Sequence, residues 1–103
     1  MESDMQRFDD PAQPIHVRAG ETFAIVLEGN PTTGYSWQAD ADPEHLQLLD
    51  QTFEQEGKGI GAGGREVLRF RAVSAGEVDV ACAYKRPWDA KARETRRFQV
   101  RIT

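Results

Sequence analysis

Between Ile15 and Ile102 the chain breaks into short segments in which apolar side chains recur at every second position, and this period of two most constrains what the chain can fold into. Val78, Val80, Cys82 and Tyr84 share one face of an extended segment that starts at Gly76, with Asp79, Ala81 and Ala83 on the other face. Phe98, Val100 and Ile102 alternate with Arg97, Gln99 and Arg101, and Leu68, Phe70 and Ala72 alternate with Arg69, Arg71 and Val73. Phe23, Ile25 and Leu27 fall on one face of residues 22–28, while Ile15-His16-Val17-Arg18 and Tyr35-Ser36-Trp37-Gln38 repeat the pattern in shorter form. Successive side chains of a strand point to opposite sides, so each segment reads as a strand with one apolar face. Residues 46–53 are ambiguous: Leu46 and Leu49 suit a helix, whereas Leu46, Leu48 and Phe53 suit a strand with a bulge. The flanking elements are strands, so a strand is expected there too.

About seven short strands separated by turn residues predict an all-β fold, an antiparallel β-sandwich with one wet face on each sheet. Trp37 on the third strand resembles the core tryptophan of immunoglobulin-like sandwiches. Cys82 falls where the second cysteine of such a domain would stand, but it is the only cysteine, so no intramolecular disulfide can form. Packing by Ile25 or a neighbour is expected to fill the opposite position.

A length of 103 residues suits one domain, and 39% hydrophobic with 29% charged residues suits a folded chain rather than a disordered one. The net charge of −4 argues against a dedicated nucleic-acid binder. The charge is uneven: residues 84–103 carry seven basic and two acidic side chains, a net of +5, and residues 1–14 carry one and four, a net of −3. The basic end could suit an acidic partner, but a solvated strand face is the favoured expectation. Residues 1–14, closed by Pro11 and Pro14, are expected to form a flexible tail, leaving 15–103 as the folded domain. No apolar run resembles a signal peptide or spans a membrane, so no membrane partner is expected. The chain as written points to the cytoplasm, or to a periplasmic or secreted location if an export signal has been removed. A monomer is expected.

Catalysis finds little support. Cys82 sits mid-strand on an apolar face, where a free thiol is buried rather than activated. One cysteine with two distant histidines, His16 and His45, makes no metal site, and no cofactor motif is present. Gly59 to Gly64 fits G-x-G-x-x-G, but a dinucleotide fingerprint needs a helix next, and a strand follows.

Three loops remain. Asn30-Pro31-Thr32-Thr33-Gly34-Tyr35 has no aliphatic residue. Pro31 fixes its own φ and biases Asn30 towards extended backbone, and Gly34 can take a positive φ. The second loop, residues 57–64, holds five of the nine glycines and offers bare backbone to another surface. The third, residues 85–93, carries Trp88 beside Arg86, the side-chain types most enriched in binding hot spots. In a seven-strand sandwich these join strands B–C, D–E and F–G, and all three open at one end.

Together the loops resemble the chagasin family of cysteine-peptidase inhibitors. That family is marked, in order, by an Asn-Pro-Thr-Thr-Gly-aromatic loop, a Gly-x-Gly-Gly loop and an Arg-Pro-Trp loop. Here these are Asn30 to Tyr35, then Gly61-Ala62-Gly63-Gly64, then Arg86-Pro87-Trp88. The resemblance covers roughly residues 15–103 and implies an immunoglobulin-like fold and reversible, competitive blockade of papain-like cysteine peptidases. It implies that Thr32 and Thr33 cover the catalytic cysteine. Gly61–Gly64 would lie along one side of the cleft and Arg86–Trp88 on the other, with Trp88 against an aromatic surface. The competing reading is a non-inhibitory recognition or adhesion module that uses the same loops against a flat surface.

Overall fold

The computed structural model describes residues 5–30, 33–55 and 63–103. Among them the alternating segments form strands β2 (Ile15–Val17), β3 (Thr22–Gly29), β4 (Ser36–Asp40), β5 (Leu46–Gln55), β6 (Gly64–Ala72), β7 (Gly76–Lys85) and β8 (Glu94–Ile102), preceded by a short β1 (Gln6–Phe8). Two four-stranded sheets result, ordered β1-β3-β6-β5 and β2-β8-β7-β4. With β3 to β8 as strands B to G, this is the immunoglobulin-like division, A-B-E-D packed on A′-G-F-C. The ambiguous segment is a strand, and its register slips between Leu48 and Asp50, as a bulge requires.

The core lies between the sheets. Phe23, Ile25, Leu27, Leu68 and Phe70 face Trp37, Val80, Cys82, Phe98, Val100 and Ile102, all buried. Phe23 and Phe70 stack at 5.6 Å between ring centroids. Fully burying an aliphatic or aromatic side chain of this size contributes about 1.5–3 kcal/mol. Ile25 and Cys82 are both buried in this one cluster, so packing occupies the place a disulfide would take.

Three features depart from expectation. Within residues 1–14, read as a flexible tail, Gln6–Phe8 form an edge strand beside Phe23 to Ile25. Phe8 packs edge-on against Phe23 with ring centroids 6.2 Å apart, which holds the segment down. Second, the antiparallel pattern covers β3 to β8 only: β1 joins β3 and β2 joins β8 in parallel. The first strand is split, one half on each sheet, so eight strands stand where about seven were expected. Third, β3 is buried on both faces. Ala24, Val26 and Val67 form a second cluster on the outer side with Met5 packed on it. On that same side Arg7 of β1 reaches Glu54 of β5 at 3.1 Å across the two strands between them.

Candidate functional site

Strand pairing brings the loop ends together. Gly29, the last residue of β3, pairs with Gly64, the first of β6. Ser36, the first residue of β4, pairs with Lys85, the last of β7, and Tyr84 pairs with Glu94 at the start of β8. The β3–β4, β5–β6 and β7–β8 connections therefore leave the sandwich at one end. Of the expected site residues, Pro31, Thr32, Gly61 and Ala62 lie outside the described residues.

The first loop folds on itself. The Asn30 carbonyl accepts the Thr33 N–H at 3.2 Å and the Thr33 hydroxyl at 2.7 Å. Gly34 has φ +85°, which an L side chain rarely adopts, so the turn depends on glycine there. The root is held from β7, where the Tyr84 hydroxyl accepts the Asn30 N–H at 3.1 Å. The Tyr84 ring stacks on Tyr35 at 5.2 Å and touches Trp37 at 4.9 Å.

Beneath the loop sits the buried carboxylate of Glu66. It accepts the Trp37 N–H at 3.2 Å and a Gln51 side-chain N–H at 2.6 Å, and the same Gln51 amide donates to the Trp37 carbonyl at 2.8 Å. The Trp37 indole N–H in turn donates to the Glu28 carbonyl at 2.8 Å. These bonds tie β4 of one sheet to β3, β5 and β6 of the other. A Cβ at Gly29 would stand 2.9 Å from Glu66 Oε2, so a side chain there would push on this carboxylate.

The third loop opens with a four-residue turn, Arg86 to Asp89, in which the Arg86 carbonyl accepts the Asp89 N–H at 3.0 Å. The Asp89 carboxylate closes it, accepting from Arg86 Nε at 3.0 Å and Nη2 at 3.2 Å. That hydrogen bond lowers the Asp89 pKa and raises that of Arg86. Trp88 projects outward, 72% exposed, and does not fold back over the sandwich edge. The Arg86 guanidinium carbon lies 5.1 Å from the Tyr35 ring centroid and 5.4 Å from that of Trp88. A Cβ at Gly34 would meet the Arg86 stem at 3.8 Å and the Trp88 ring at 4.0 Å. The first and third loops are thus in contact and present one surface, with Pro87 and Thr33 exposed on it.

The glycine motif divides in two. Gly63 is exposed, and a Cβ there would find only the Gly29 carbonyl, at 3.9 Å. Gly64 is buried, and a Cβ there would collide with the Glu54 carbonyl and stand 2.5 Å from the Phe53 ring. Gly64 is therefore a requirement of the sheet, while Gly63 lies at the surface. A cleft of about 730 Å³ opens beside these glycines, bordered by Asn30, Tyr84 and Arg93.

This end supplies backbone, hydroxyls, one exposed indole and guanidinium groups. No described group of three or more His, Cys, Asp or Glu side chains is placed to hold a metal ion. Cys82 is 1% exposed, and burial pushes its thiol from 9.0 up to about 11. It is not a nucleophile at neutral pH. Glu66, Gln51 and Tyr84 shape the site although they stand outside the three loop motifs. Glu66 had a signal, because it is in phase with Leu68, Phe70 and Ala72 and so points inward. Gln51 and Tyr84 take their roles from contacts distant in sequence.

An immunoglobulin-like sandwich that holds a glycine-pinned turn against an exposed Trp-bearing turn defines a loop-presenting recognition protein. The chain belongs to the chagasin family of peptidase inhibitors: the sequence model of the chagasin family peptidase inhibitor I42 matches residues 16–102. That is a family of inhibitors, not of enzymes. Amoebiasin-1 of Entamoeba histolytica is 33% identical over 95 residues, spanning 91% of this chain and 92% of the relative. The crystal structure of the cysteine protease inhibitor EhICP2 from Entamoeba histolytica superimposes with TM-score 0.77 at 18% identity, over 99% of this chain and 100% of that one. PbICP-C, solved in complex with falcipain-2, has TM-score 0.63 at 16% identity, over 96% and 99%. These two structures share the fold.

Proposed function

We propose that this chain inhibits papain-like cysteine peptidases reversibly and competitively, by seating three loops in and beside the active-site cleft. Thr32 and Thr33 cover the catalytic cysteine. Gly61, Ala62 and Gly63 meet one side of the cleft, with the buried Gly64 anchoring them to the sheet, and Arg86, Pro87 and Trp88 rest on the other. Asn30, Pro31, Gly34 and Tyr35 shape the central loop. The observation that carries this reading is the Arg86 guanidinium, 5.1 Å from the Tyr35 ring centroid of the first loop and 5.4 Å from that of Trp88 in its own, which makes two of the loops one preformed surface. A surface already ordered loses little conformational entropy on docking. A self-bonded turn also fills a cleft without offering an extended peptide for cleavage.

Fluorogenic assays with a panel of papain-like peptidases test this. The inhibition constant should be independent of incubation time, and the apparent value should rise linearly with substrate. Trypsin-like serine peptidases should be unaffected. An enzyme whose cysteine carries a small alkyl group should still bind, more weakly. No inhibition across the panel at micromolar protein would reject the reading in favour of a non-inhibitory recognition module.

A further inference from the structure

Of the seven basic residues between 84 and 103, four are paired with a carboxylate. Arg86 is held by Asp89 at 3.0 Å, Arg96 by Glu94 at 2.9 Å, Arg97 by Asp79 at 3.2 Å and Arg101 by Glu77 at 2.7 Å. Lys85, Lys91 and Arg93 have no carboxylate within salt-bridge distance among the described residues. These three gather at the loop end, Lys85, whose charge also acts on Asp89, closing β7 and the other two in the connection to β8, while Arg97 and Arg101 run away from it along β8. Asp89 in this connection and Glu94 at the start of β8 are already paired. Arg93 is also held in place. Its N–H donates to the Tyr84 carbonyl at 2.8 Å, and its guanidinium carbon lies 5.5 Å from the Tyr35 ring centroid, yet the residue is exposed.

We propose that Arg93, flanked by Lys85 and Lys91, is a specificity edge of the peptidase-binding face, and that the favoured targets are papain-like peptidases with carboxylates on the cleft rim. The proposal rests on the reading of this end as the peptidase-binding face. A guanidinium braced on an aromatic ring has less freedom to lose than a free lysine, and its planar fork suits a carboxylate. Charges at the rim of an interface act chiefly on the association rate and its salt dependence. The molecule as a whole is acidic, at −4, so this local positive edge also orients the approach.

Stopped-flow association tests it with two papain-like peptidases, one with carboxylates bordering its cleft and one without. Parent, Arg93→Ala and Arg101→Ala are compared at about 0.01 M and about 0.15 M salt, where screening lengths are about 30 Å and about 8 Å. On the acid-rimmed enzyme Arg93→Ala should associate roughly three- to tenfold more slowly at low salt, with the gap narrowing at high salt. Arg101→Ala should match the parent, and on the neutral-rimmed enzyme Arg93→Ala should match it too. An Arg93→Ala variant that keeps the parent's rate and salt slope on the acid-rimmed enzyme overturns the proposal, as does an equal loss on both enzymes. A parent that inhibits no papain-like peptidase overturns the underlying reading itself, a result distinct from either.

Discussion

Asn30 donates its backbone N–H to the hydroxyl of Tyr84 at 3.1 Å, so the root of the first loop is fastened to the strand that leads into the third. The Tyr84 ring then stacks on Tyr35 on the far side of the loop. One β7 side chain therefore grips both ends of the 30–35 turn, and the two loops keep one relative position.

Tyr84→Phe keeps the ring and removes the acceptor. The Asn30 N–H, partly buried, loses this partner at a cost of about 1 kcal/mol. The expected result is a modest fall in melting temperature and an inhibition constant a few-fold to about tenfold weaker. An unchanged inhibition constant would show that the hydroxyl does not set the loop's position.

Trp88→Ala should separate binding from stability. The indole is 72% exposed, so its removal uncovers no core, and the melting temperature should stay within a degree or two of the parent, roughly. An aromatic anchor in a protein interface contributes about 2 kcal/mol or more, so inhibition should weaken by about thirtyfold. Inhibition equal to the parent's would remove Trp88 from the interface.

The two glycines of the second motif should behave oppositely. Gly63→Ala has room for its Cβ, so the fold should tolerate it while inhibition weakens. Gly64→Ala drives a Cβ into the Glu54 carbonyl and the Phe53 ring, and backbone cannot step aside cheaply. Overpacking of this kind costs about 1–3 kcal/mol. Chemical denaturation of both variants checks the split, and equal stability for the two would contradict the packing at Gly64.

Cys82 should be silent in function and visible only in alkali. Its folded-state thiol is pushed from 9.0 up to about 11 by burial, so the folded protein holds its proton where the unfolded chain has lost it. The associated stability is fully present below pH 9.0 and declines as pH rises towards about 11. Cys82→Ala should cost about 1 kcal/mol at neutral pH through a small cavity, inhibit like the parent, and show a shallower fall in stability between those pH values. Rapid labelling of the native thiol at pH 8 would contradict its burial.

Much of the sandwich was legible because alternation is a local property. Val78 to Tyr84 and Phe98 to Ile102 declare strands and their inner faces without reference to anything distant. Trp37 and Cys82 are buried where the pattern puts them. β1 was not legible, since Gln6-Arg7-Phe8 is too short to show a period, and it is a strand through its pairing with Phe23 to Ile25 and the packing of Phe8 on Phe23. The outer burial of Ala24 and Val26 was hidden for a similar reason: it depends on Met5 and the Arg7–Glu54 pair, which are brought there by β1.

By itself the sequence determined the strands, the order of the three loops and the residue types they present, because these follow from periodicity and from short contiguous motifs. Only the tertiary structure decided how those loops are held. Tyr84 is 54 residues from Asn30, and Glu66 is 29 from Trp37. Their partnership depends on which strands pair and in what register. The same is true of charge. Seven basic residues look alike in the chain, but pairing across β7 and β8 neutralises Arg97 and Arg101 and leaves Arg93 at the loop end without a carboxylate among the described residues. A contact between residues far apart in sequence exists only once the sheets have formed.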